Sequence, residues 1–426
     1  MNHNSKIEKE LNELLTQQVI TLQVQQDVKR YYASKKVVQP NRLFVVFGVL
    51  GSILTGLGII LILAHNWDNF SRNIKTIWAF APLVAGQVLA AFALFKKKSV
   101  AWKETAAVFL FFAIGASISL VSQIYNIPGA VHTFMLTWII LAAPLFYLLK
   151  SHATALLYLI LITSYGCTIG YDINESPYWA LLALLGIIPH YISLLKSQAN
   201  GNITGIFHWV LPVSILLLLG AFLNSGFSVG LLTHLCLFGL FYNVGKLPYF
   251  DNQKLRRNGY LILGSLGTIV SLLVGSFRYV WNDFLPDTIS SSDMVITILL
   301  SLITIGLIGY LFTKNKLKPY NLFQFAFLVF GALYFLGFYQ PEIASILTNI
   351  LILLLGLFAV TIGSRQEKFS ILNYGLLIIT ALISCRFFDT EIPFVVRGLL
   401  FIAIGTGFFG ANYFMYKKQL KTKTHE

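Results

Sequence analysis

Charge is scarce in this chain. Only 11% of its 426 residues are Asp, Glu, Lys or Arg, against 56% that are hydrophobic. A soluble domain carries about 25% charged residues, so a water-soluble fold of this length lacks the polar surface it needs. Cysteine is scarcer still. Cys167, Cys236 and Cys385 lie far apart, each inside an apolar run. That spacing offers neither a disulfide framework nor a metal site, and the three read as small buried apolar residues. No GxSxG, HExxH or phosphate loop occurs. No catalytic residue, metal or cofactor is therefore expected. Charge is also missing where a coupled carrier needs it. No Asp, Glu, Lys or Arg falls in the middle third of any apolar run, and His234 is the single imidazole there. Proton- and sodium-coupled carriers usually hold an ionisable group near the midplane, which argues against an ordinary coupled transporter. His234 reads as hydrogen-bonded packing, and Gln324, Asn349 and Asn373 fit the same interhelical role. Residues 1–42 are polar and charged, so no cleavable signal peptide is expected.

What the chain has in quantity is apolar runs of about twenty residues, the length that crosses a bilayer as a helix. They fall at 43–64, 74–95, 104–124, 131–149, 153–171, 177–195, 203–223, 226–245, 258–280, 293–312, 320–339, 342–363, 369–387 and 394–416. Only Asn224 and Ser225 separate 203–223 from 226–245, and two spans are kept there because one would break the charge rhythm that follows. The gaps alternate. One kind holds Lys96, Lys97, Lys98 and Lys103, then Lys246, Lys254, Arg256 and Arg257, then Lys314, Lys316 and Lys318. The other kind is neutral or acidic, as at Asp172 and Glu175 or at Asp283, Asp287 and Asp293. By this division 26 of the 31 basic residues and 8 of the 17 acids share one side. The net charge of +14 thus reflects the positive-inside rule and anionic lipid rather than nucleic acid.

The expected fold class is an all-α, polytopic integral membrane bundle of about fourteen transmembrane helices, both termini inside. Residues 1–42 form a cytosolic helical pair, 43–416 the bundle and 417–426 a basic cytosolic tail. Within 1–42, Ile7, Leu11, Leu14 and Leu15 recur at helical spacing, Thr21 looks like an N-cap, and Leu22, Val24, Val28 and Tyr31 continue a second helix. This pair has three readings: packing on the basic loops, lying on lipid, or binding a protein partner. Three basic-start helices ending in an aromatic and an acid (Arg42 to Asp68, Arg257 to Asp283, Lys368 to Asp389) suggest an internal repeat, although any outward helix tends to this pattern.

Polar residues beyond capping needs gather on the acidic side. His65, Asn66, Trp67 and Asp68 follow the first span, with Ser71, Arg72 and Lys75 behind them. There Asp68 and Arg72 stand at pairing distance on a helix, and Ser71 suits a cap. Gln123, Tyr125 and Asn126 stand at the outer end of the third span, before Pro128-Gly129, a turn signal. Arg386 and Asp389 end the thirteenth, with Glu391 and then Arg397 beyond, where unpaired positive charge is costly. Candidate ligand-binding residues are therefore His65, Asn66, Trp67, Asp68, Gln123, Tyr125, Asn126, Arg386, Asp389 and Arg397.

Between Leu50 and Tyr158 the chain carries Ala64-His65-Asn66-Trp67-Asp68, then Pro82, Gly86 and Gln87, then Trp102-Lys103-Glu104 and Gly115-Ala116-Ser117. Ser122-Gln123-Ile124-Tyr125-Asn126-Ile127-Pro128-Gly129 follows, then Phe134, Trp138, Pro144-Leu145 and Tyr147-Leu148-Leu149. This stretch resembles the bacterial membrane protein family called domain of unknown function 2157. The helical pair ending in Tyr31-Tyr32 is similar to that family's cytosolic lead-in, except that Gln17 and Gln18 stand where its turn usually carries glycine. Arg386-Phe387-Phe388-Asp389 resembles an Arg-aromatic-aromatic-Asp pattern of the same and neighbouring families. The likeness is good over 43–171 and looser over 172–416. It implies a multi-pass protein of the bacterial inner membrane and lends no activity. Three functions stay open: binding or translocation of an envelope-related, lipid-linked molecule; a non-transporting scaffold or sensor acting through residues 1–42; and a lipid-linked glycosyltransferase with Asp68 catalytic.

Overall fold

The computed structural model describes residues 11–34, 67–223, 227–251, 253–282, 290–314 and 321–387, with scattered positions between 394 and 413. All regular structure among them is helical. The expected span 43–64, the boundary at residue 42 and the tail 417–426 lie outside the described residues, as does most of 394–416.

The other twelve expected spans each have their helix. After α1 (Leu22–Ser34) come α2 (Arg72–Phe95), α3 (Val100–Tyr125), α4 (Val131–Leu148), α5 (His152–Cys167), α6 (Tyr178–Ser197) and α7 (Asn202–Phe222). There follow α8 (Phe227–Val244), α9 (Gly259–Gly275), α10 (Ser291–Thr313), α11 (Ala326–Gly337), α12 (Pro341–Arg365) and α13 (Phe369–Phe387). Nine of these, α5 being lengthened by a π-helical turn at Thr168–Ile173, are long and apolar enough to cross a membrane. The three shorter apolar helices are α8, α9 and α11. Two of the shorter three adjoin further helical turns. A turn at Ser276 joins α9 to the short helix Arg278–Asn282, and the 3-10 turn Leu322–Gln324 leads into α11. The doubtful pair resolves into two helices, α7 and α8.

Residues 1–77 and 78–426 form two compact units. In the first, residues 11–16 are helical, and Gln18 closes that helix at φ 56° while Val19 N–H donates to the Leu14 carbonyl at 3.0 Å. A glutamine therefore adopts the left-handed turn that glycine reaches without steric cost. The Thr21 hydroxyl accepts from Val24 N–H at 3.4 Å, as an N-cap should. Gln25, buried, donates from Nε2 to Asn12 Oδ1 at 2.7 Å and ties the two helices together.

In the second unit the same turn recurs at Lys97, Asn126, Lys150 and Glu367, each at positive φ. Each is followed by an N–H that bonds a carbonyl five residues back: Lys98 to Ala93, Ile127 to Ser122, Ser151 to Phe146 and Lys368 to Gly363. No described glycine takes positive φ. Glycine is used instead where helices touch. A Cβ on Gly375 of α13 would stand 2.6 Å from Val360 N and 2.7 Å from the Gly356 carbonyl of α12. Lipid tails are as apolar as leucine, so helices associate through such close packing and through shared hydrogen bonds.

Side-chain burial divides the second unit. One core, built around Phe111, Phe146, Leu159 and Phe207, lies within α2–α7. Another, built around Phe327, Phe330, Tyr334 and Leu355, lies within α8–α13. A smaller cluster of Leu237, Phe238, Phe241, Phe250 and Tyr260 joins them along α8 and α9, with Ile215, Leu216 and Leu219 of α7 against it. The outside is apolar too: α10 exposes Ile298, Leu299, Leu302, Ile303 and Ile305. A surface of that size suits lipid rather than water.

Candidate functional site

A groove of about 780 Å³ runs between α2, α3 and α4. Its walls hold three close contacts. The Ser117 hydroxyl donates to the Ala79 carbonyl at 2.7 Å, Gly86 lets Leu110 approach, and Trp138 lies over Gly115 with its indole N–H on the Phe111 carbonyl at 2.9 Å. Leu83, Leu110, Ile114, Leu141, Leu145 and Leu148 make its apolar length. Ser119, Ser122, Gln123, Thr133 and Thr137 crowd the end nearest Pro128-Gly129. Two of the hydroxyls are already used: Thr137 donates to the Thr133 carbonyl at 2.8 Å and Ser122 to the Ile127 carbonyl at 3.0 Å. The amides are not. Gln123 and Gln87, both exposed to the groove, make no side-chain hydrogen bond among the described residues. Gln87 sits near the middle of α2, where a bilayer offers no water to satisfy it. Sequence reasoning missed it as a site residue. Its signal was an amide deep inside an apolar run, beside Gly86.

Of the described residues among the ten expected to bind ligand, only Gln123 lines this groove. Tyr125 is exposed at the end of α3. Asn126, at φ 50°, terminates that helix, its own N–H bonded to the Gln123 carbonyl at 3.4 Å. Trp67 and Asp68 form a 3-10 turn with Asn69 before α2, and Lys75 Nζ lies 5.8 Å from the Trp67 ring. Ser71 sits at the cap position of α2, its carbonyl taking Lys75 N–H at 3.0 Å. Arg386 belongs to a different helix group. Its Nη2 donates to Ser276 Oγ at 3.1 Å and its guanidinium lies 4.6 Å from the Phe277 ring. The Ser276 carbonyl also accepts from Ser345 at 2.9 Å and from Asn349 at 3.0 Å, which locks α9, α12 and α13 together. His65, Asn66, Asp389 and Arg397 lie outside the described residues.

The interhelical amides behave largely as the sequence implied. Buried Asn243 and Gln324 are paired: Gln324 Nε2 donates to Asn243 Oδ1 at 3.2 Å, and Asn243 Nδ2 to the Gln324 carbonyl at 3.2 Å. Asn373, in contrast, is exposed. His234 Nδ1 bonds the Gly230 carbonyl one turn back at 2.7 Å.

A second cavity, about 430 Å³, lies between α8, α9, α12, α13 and the 3-10 turn before α11. It is at the lysine-rich end of those helices. Leu261, Ile262, Leu266, Phe323, Phe358 and Ile362 line its body. Tyr242, Lys246, Ser265, Asn321 and Tyr374 bring polar groups to it. Burial lowers the Lys246 pKa from its ordinary value; Lys368 pushes the same way and Asp251 opposes both.

No curated protein and no solved structure matches the chain. Residues 12–155, which run from the helical pair through the groove to the first turn of α5, match the model of the family described as predicted membrane protein (DUF2157).

Proposed function

We propose that this multi-pass membrane protein binds an envelope amphiphile in the α2–α3–α4 groove, hydrocarbon along Leu110, Leu141 and Leu145 and polar head at Gln123. The observation that carries this is the pair of glutamine amides, Gln87 and Gln123, without a side-chain hydrogen bond among the described residues, in a mainly apolar groove. An amide facing hydrocarbon without a partner is unfavourable, so a ligand that supplies hydrogen-bonding groups at both depths gains affinity there. A lipid-linked molecule has that distribution: polar head, polar link, apolar tail. Native mass spectrometry of the detergent-purified protein with an envelope lipid extract tests this. Adducts are expected on the wild type and strongly reduced on Gln87→Leu/Gln123→Leu and on Leu141→Trp. Equal adducts on all three proteins would remove the proposal.

The membrane in this reading is the bacterial cytoplasmic membrane, with the lysine-rich turns inside. The uneven placement of lysine and arginine supports that orientation. Reporter fusions after Lys97 and after Gly129 are expected in opposite compartments. Finding them in one compartment reverses the assignment of the groove's polar end to the outer face.

A further inference from the structure

The cavity at the lysine-rich end is built differently from the groove. Away from its exposed rim, its neutral polar groups are bonded within the protein: Asn321 Nδ2 donates to Tyr242 Oη at 2.5 Å, and Ser265 shares a hydrogen bond with Tyr374 at 2.8 Å. Lys246 is the exception. Half-buried, it makes no side-chain hydrogen bond and no ion pair among the described residues, and its ammonium lies 5.6 Å from the Tyr242 ring. A partly desolvated ammonium gains most from a fixed anion. The space beside it is large enough for a small ligand and mostly hydrocarbon. It opens past exposed Gln366 and Ser370 on one side and exposed Leu255 and Leu266 on the other. A nucleotide or sugar would leave its polar edges unmatched against Leu261, Ile262 and Phe358.

We propose that this cavity binds an amphipathic anion, its single phosphate-sized head on Lys246 and its hydrocarbon tail along Leu261, Leu266 and Phe358. Lys368, near enough to Lys246 to depress its pKa, adds to the attraction. The site is independent of the α2–α4 groove, and the variants that test the groove leave it unchanged.

The test uses the full-length protein in neutral detergent, titrated with dioctanoyl phosphatidic acid, dioctanoyl phosphatidylcholine and inorganic phosphate and followed by thermophoresis. Phosphatidic acid is expected to saturate, with the other two at least about tenfold weaker. Lys246→Gln is expected to weaken phosphatidic acid by about tenfold or more, while Lys246→Arg retains it. Ser370→Trp, at the exposed rim where folding is not at stake, is expected to block it. Lys196→Gln, on another basic turn, is expected to bind as the wild type. Inorganic phosphate as tight as phosphatidic acid would mean a free-anion site and overturn the proposal. Phosphatidylcholine as tight would mean head-independent binding and overturn it too. So would unaltered affinity in both Lys246→Gln and Ser370→Trp.

Discussion

Gly375→Ala lowers the thermal unfolding midpoint of the detergent-solubilised protein, while Gly306→Ala leaves it unchanged or raises it. The added atom is the same in both variants; only the surroundings differ. At residue 375 the new methyl meets backbone, 2.6 Å from Val360 N and 2.7 Å from the Gly356 carbonyl. Backbone cannot rotate away as a side chain can, so α12 and α13 must separate. Overpacking of this kind costs about 1–3 kcal/mol. The pair also loses contacts along its length, because Gly356 and Gly363 rest on the same partner helix. At residue 306, on the exposed face of α10, nothing stands within 4 Å of the added atom. There the helix propensity of alanine applies unopposed, worth up to about 1 kcal/mol. Midpoints that move equally in the two variants would show that α12 and α13 are not held at this distance.

Glu104→Ala is expected to destabilise the first half of the bundle by about 2–4 kcal/mol, on the scale of several hydrogen bonds to one charged group. Glu104 stands in the first turns of α3 and reaches across to the start of α5. Its carboxylate accepts the Ser151 hydroxyl, His152 N–H at 2.8 Å and Ala153 N–H at 3.2 Å. Ser151 in turn caps the helix, accepting Thr154 N–H at 3.1 Å, and both Ser151 and Thr154 are fully buried. The first N–H groups of a helix lack partners within it and carry positive partial charge, so one carboxylate satisfies two donors and complements the dipole. Glu104→Gln keeps an oxygen acceptor without the charge and should fall between alanine and wild type. Amide hydrogen exchange at 152–155 reports the loss directly. Unchanged protection there in the alanine variant would refute the clamp.

The helices were legible in the sequence because bilayer-length apolar runs have few other uses, and the two-residue gap at Asn224-Ser225 was enough to separate α7 from α8. Their ends were less so. The run 258–280 resumes with Phe277, Tyr279 and Val280 beyond Gly275-Ser276, so it reads as one span although the helix breaks at Ser276. Pairings between distant residues were illegible. Trp102-Lys103-Glu104 stood out as part of a family-like pattern, yet nothing nearby in the chain names Ser151 as its partner. Arg386 was grouped with Gln123 because both end outward runs, and the structure gives Arg386 to Ser276 and Phe277 instead. Asn126, a candidate ligand-binding residue by its place beside the third span, sits at a helix end in the left-handed conformation. The cavity beside Lys246 combines residues from 242 to 374, a separation no local pattern encodes.

The division of the interior has a consequence for biogenesis. Every residue of the α2–α7 core precedes residue 223, so its partners have all been synthesised before α8 leaves the ribosome. The early helices can therefore settle against one another while the later ones are still being threaded into the bilayer. The cluster along α7, α8 and α9 is where the later helices first meet apolar side chains of that earlier half.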